Sequence, residues 1–164
     1  MGLQLPASVT NAIRVQMALV AVSGLTTLLT VLQRDELVMA WAEGNPTARP
    51  ILDEGGLSAL EESSINIPAF GQVAVVSFVT FALLAVVLLA LFRHGHNSAR
   101  VSLTVLAVFY LFAMLAIYRL DPPTLFAVCA AVSAVLDVVL VYFLWHRDTN
   151  AFLQGAAIAS GRSV

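Results

Sequence analysis

The sequence predicts an all-α membrane protein: a bundle of four transmembrane helices with both termini cytoplasmic. Three observations lead there. The chain has 164 residues, of which 60% are hydrophobic and only 11% charged, with a mean hydropathy of +0.91. A water-soluble domain carries about a quarter charged residues, so this chain has too few charges to cover a water-facing surface. Four apolar runs, at residues 15–32, 71–92, 101–117 and 124–144, each approach the ~20 residues that span a ~30 Å hydrocarbon core. None of them alternates with period two, and in a bilayer only helices and closed barrels satisfy their own backbone groups.

The length suits one membrane domain over residues 1–164. The first span is expected over about residues 12–33, with Ser8 or Thr10 as cap and Arg14 and Gln16 at the membrane entrance. An amphipathic continuation, QRDELVMAWAEG, stops at Gly44-Asn45-Pro46, and Trp41 in it suits headgroup level. Residues 34–67 form the one sizeable loop, broken by Pro46, Pro50 and Gly55-Gly56. It reads as a small acidic extracytoplasmic cap without a fold of its own, with one or two helical turns at LSALEESS. Pro68 suits the first turn of the second span, about 68–92. Gly95 ends that span, and Asn97 or Ser98 caps the third, about 98–119. Asp121-Pro122-Pro123-Thr124 is a tight turn that starts the fourth, about 123–146. In the tail, 147–164, Ala151, Phe152 and Leu153 suit the interface, and the remainder is expected to be disordered.

Orientation follows from the arginines. There is no lysine, and with abundant Ala and Val this is the composition of a high-GC bacterial genome. Arg14, Arg93, Arg100, Arg147 and Arg162 fall on one side of a four-span arrangement, and Arg34, Arg49 and Arg119 on the other. The side richer in positive charge is cytoplasmic, so the 34–67 loop faces outward. The location expected is the bacterial cytoplasmic (inner) membrane. MGLQLPASVTNAIR has no secretory signal pattern, and Pro6 stands where a myristoylation signal wants Ser or Thr.

The composition and motifs also exclude. The single cysteine, Cys129, rules out an internal disulfide and a Cys-pair redox or zinc site. There is no phosphate loop, nucleophile elbow or HExxH. His94, His96 and His146 are too weakly arranged for a metal site and read as part of a basic rim against anionic lipid. No catalytic residue, metal or cofactor is expected, and no nucleic-acid partner.

One residue stands out. Asp137 lies about 10 Å inside the boundary at Leu144, at 1.5 Å per residue. An intramembrane carboxylate is costly and by default faces the bundle as a candidate functional group. Cys129 and Ser133 precede it at four-residue steps and share its face. On the first span Gln16, Ser23, Thr27, Thr30 and Arg34 form a polar stripe able to face it. Asp137, Ser133, Gln16 and Arg14 are therefore the candidate ion- or ligand-binding residues, with Gln16 or Arg14 as direct partner of Asp137. The plainer alternative is an uncharged, hydrogen-bonded acid, with hydroxyls acting as interhelical glue or bonding back to their own helix.

The layout resembles actinobacterial small four-span integral membrane proteins of unassigned function. The resemblance rests on Arg14 near the start of the first span, the basic turn RHGHNSAR, the Pro-containing turn before the fourth span, and the closing WHRDTNAFL with Trp145, Arg147 and Phe152. It implies no activity, and Asp137 is outside its pattern. The expected function is a non-catalytic accessory or scaffold subunit, or homo-oligomer, of the cell envelope. Its partners would be the bilayer and a membrane protein met through helix faces or the 34–67 loop. The alternative is a small oligomeric transporter or channel with Asp137 as its proton or cation site.

Overall fold

The computed structural model describes residues 5–118, 122–159 and 161. Seven helices are formed among them: α1 (Ala7–Leu32), α2 (Arg34–Gly44), α3 (Arg49–Glu62), α4 (Phe70–Arg93), α5 (Asn97–Tyr118), α6 (Thr124–Leu144) and α7 (Arg147–Ala159). Four of them, α1, α4, α5 and α6, are long and apolar enough to cross a membrane. The expected turn at Arg119 to Asp121, the side chain of Tyr118, and Arg162 lie outside the described residues.

Two compact units make up the chain. One takes the residues up to Ser23 and those from Thr80 onward; the other is Gly24–Val79. The first has a core in which Leu19 of α1, Leu88 and Phe92 of α4, Leu103 of α5, Leu140 and Leu144 of α6 and Leu153 of α7 meet. Tyr110 joins its margin, stacked on Phe81 with ring centroids 4.9 Å apart. Within a bilayer, where lipid tails are as apolar as leucine, packing and polar contacts would hold such a bundle more than water exclusion.

The α4–α5 turn shows how local chemistry sets direction. Gly95 has φ +80°, a left-handed conformation that glycine adopts without strain. Its N–H bonds to Phe92 O at 3.0 Å and the next, of His96, to Leu91 O at 3.1 Å. That pair of bonds is a Schellman ending. A Cβ on Gly95 would collide with Ala156 Cβ, so α7 rests directly on this turn.

The second unit corrects one expectation. The 34–67 loop is not a bare cap but two helices with a small core of their own, Ala42, Ala48 and Leu60, flanked by Trp41, Ile51, Leu52, Ile65 and Ile67. Asn45 makes the corner: its Oδ1 accepts the N–H groups of Thr47 at 3.0 Å and Ala48 at 3.3 Å. Inside α3, Gly56 (φ 67°, ψ −158°) kinks the helix in a region only glycine enters readily. Arg34 then bridges Glu61 at 2.9 Å and Asp35 at 3.0 Å. The hydrogen bonds to Glu61 and Asp35 hold its proton more firmly than usual. The amphipathic continuation of α1 is present, but after a break at Gln33.

The tail gives the second correction. It is helical as α7, not disordered, as far as Ala159.

Candidate functional site

The buried face of α1 is Ser8, Val9, Ala12, Gln16, Leu19 and Ser23. Steps of three and four keep these on one side of the helix. Arg14 lies two residues from Gln16, on the opposite side, and is exposed. On α6 the buried face is Phe126, Cys129, Ala130, Ser133, Asp137, Leu140 and Leu144. Gln16 is 1% exposed, Ser133 1% and Asp137 2%. Asp137 is the one charged residue among the described residues that is buried.

The ends of these helices fix their register. Thr149 of α7 is fully buried. Its hydroxyl lies 2.9 Å from Ser8 Oγ and 2.8 Å from Phe143 O. A hydroxyl has one proton, so Thr149 donates to the Phe143 carbonyl while Ser8 donates to Thr149. The start of α1 therefore sits beside the end of α6. From Phe143 back to Asp137 is six residues, about 9 Å; from Ser8 on to Gln16 is eight, about 12 Å. By helical rise, Gln16 and the Ser133–Asp137 pair thus stand at a similar height along their helices.

None of these three closes on another. Gln16 Nε2, Ser133 Oγ and both carboxyl oxygens of Asp137 are buried without a hydrogen-bond partner among the described residues. The direct Gln16–Asp137 and Arg14–Asp137 contacts are not formed. Buried polar groups are normally paired, and leaving one unpaired costs about 1–3 kcal/mol, more when charged. Four such atoms at a similar height make this the most conspicuous polar feature of the unit. Further along α1, Thr30 Oγ1 bonds back to Thr26 O at 2.9 Å, the local use expected of membrane hydroxyls.

The closing pattern has a structural use that spacing alone did not reveal. Trp145 Nε1 donates to Thr104 Oγ1 at 3.0 Å, and Thr104 Oγ1 donates to Arg100 O at 3.0 Å. The Arg100 guanidinium lies 4.2 Å over the Trp145 ring and donates to Asn150 Oδ1. This clasp joins the start of α5, the end of α6 and α7. A tryptophan followed at five residues by asparagine, with a basic turn upstream, was the available signal.

The histidines have local partners. His96 Nδ1 lies 3.1 Å from Leu91 O, and His146 Nδ1 is 3.5 Å from Asp148. No group of three potential metal ligands occurs among the described residues. In the second unit a shallow groove of about 460 Å³ is lined by Val31, Arg34, Gly71, Gln72, Val75 and Val76; its one charge, Arg34, is taken up by Glu61 and Asp35. No protein-family model, curated protein or solved structure matches this chain, so neither the actinobacterial resemblance nor any activity gains support from relatives.

Proposed function

We propose that the chain is a non-catalytic, multi-pass subunit of a bacterial cytoplasmic membrane, acting as an accessory or scaffold protein. On this reading α2 and α3 form a docking platform on the extracytoplasmic side. The observation that carries it is that residues 34–67 fold about their own core while Glu36, Glu43, Asp53, Glu54 and Glu62 stand exposed. Seven carboxylates against two arginines in this stretch suit a partner with a basic face, since complementary potentials steer encounter and fix register. A rigid platform also loses less entropy on docking than a floppy loop. The test is site-specific photocrosslinking from position 54 in native membranes. A crosslinked partner should appear, and Glu43→Gln with Asp53→Asn and Glu62→Gln should abolish it. A chain that stays monomeric, with no crosslink sensitive to those changes, overturns the proposal.

The unpaired Asp137 favours a second reading, an oligomeric transporter or channel with Asp137 in its path. Flux of protons or sodium into liposomes, compared between wild type and Asp137→Asn, decides it; equal flux removes Asp137 from any transport.

A further inference from the structure

We propose that Asp137, Ser133 and Gln16 form a binding site for one small alkali cation, Na⁺ being the probe of choice. The site shares Asp137 with the transport reading but does not require transport, because binding and flux are read separately.

Four features of the first unit converge on it. The carboxylate supplies two oxygens and Ser133, one helical turn earlier on the same face, supplies a third. Gln16 stands at a similar height on α1 and brings an amide that offers either an oxygen to the ion or an N–H to the carboxylate. All three side chains are at least 98% buried. Other buried hydroxyls of the same unit, Ser8 and Thr149, have found each other, whereas Ser133 has not.

The charge count selects the ligand. Hard cations take oxygen ligands, and this site has them. One carboxylate is balanced by one positive charge; a divalent ion would leave a net charge in apolar surroundings, where charge is expensive. Among the described residues of this unit no second charge is buried beside it to correct the balance. Arg14 and Arg93 are exposed, Arg147 is 91% exposed, Arg100 is held by Asn150 and Trp145, and Asp148 lies beside His146 and Arg147. A bare proton on Asp137 would remove the charge, yet Ser133 Oγ and Gln16 Nε2 would still lack partners. A cation takes up the carboxylate and Ser133 Oγ together, while Gln16 Nε2, a donor, turns to a carboxylate oxygen.

The experiment uses the full chain in lipid nanodiscs. Dicyclohexylcarbodiimide labels protonated carboxyls in apolar surroundings, and mass spectrometry follows its rate at Asp137. Sodium chloride should slow labelling relative to choline chloride at equal pH and ionic strength, and Ser133→Ala should raise the sodium needed about tenfold, the loss of one hydrogen-bond-strength contact to a charged group. Equilibrium binding of radioactive sodium gives an independent readout: one ion per wild-type chain and none for Asp137→Asn. Equal labelling in sodium, potassium and choline, with no retained sodium, overturns the proposal and leaves a simple protonated acid.

Discussion

Gly95 and Trp145 show how much can rest on single positions. Gly95 combines a left-handed backbone with a site where a Cβ would collide with Ala156. Gly95→Ala meets both penalties, about 1–2 kcal/mol for the backbone alone. A clear fall in the unfolding midpoint in detergent is expected. Gly44→Ala is the control: nothing lies within 4 Å of the added Cβ, so it should be neutral or stabilising by up to about 1 kcal/mol. Trp145→Phe keeps a ring beneath Arg100 but deletes the bond to Thr104. It should cost about 1 kcal/mol, and Thr104→Val should cost little more on top of it, the mark of a shared interaction. Asp137, Ser133 and Gln16 were legible as residues because four-residue steps map directly onto a helix face. The absence of closure between them was not, since it depends on distances between helices that a pattern does not encode. Arg14 belongs to the same lesson: nearness to Gln16 in sequence places it about 200° around α1, and it is exposed.

At the scale of elements, the two-helix unit α2–α3 asks which of its contacts matters. Arg34 with Glu61 and Asp35 is conspicuous but exposed, and exposed ion pairs contribute little. Leu60 is fully buried in a core with only two other buried members. Leu60→Ala should therefore cost about 2–5 kcal/mol and open this unit to proteolysis, whereas Arg34→Ala should leave the cleavage pattern close to wild type. The four long helices were legible because each run is apolar for the thickness of a bilayer. The pair α2–α3 was not, because its core uses two alanines whose burial no hydropathy pattern announces, and because Gly55-Gly56 reads as an interruption. In the structure Gly56 bends a helix that carries on to Glu62. α7 was missed for a related reason: Thr149, one of its buried anchors, is polar.

For the whole molecule the proposed orientation makes a prediction about sidedness. With Cys129 replaced by alanine, single cysteines at position 54 and at position 94 should react oppositely with a membrane-impermeant maleimide applied to intact cells. On the proposed orientation position 54 should label and position 94 should not until the cells are opened. Labelling at position 94 from outside would invert the orientation and take the proposed platform to the cytoplasm. Both reporter positions are exposed in the structure, so reactivity reads sidedness and not burial.

The Ser8–Thr149 contact has a consequence in time. The two residues are 141 apart in the chain, and synthesis proceeds from the N-terminus at about 5–20 residues per second. Ser8 therefore waits about 7–28 s, at that rate, before its partner is added to the chain. During that interval α1 is made while α6 and the helix that clasps it are not. A nascent chain stalled just before Thr149 would hold every apolar span and still lack this tie. A helix made after the four long apolar ones, α7, is thus the one that ties down the start of α1.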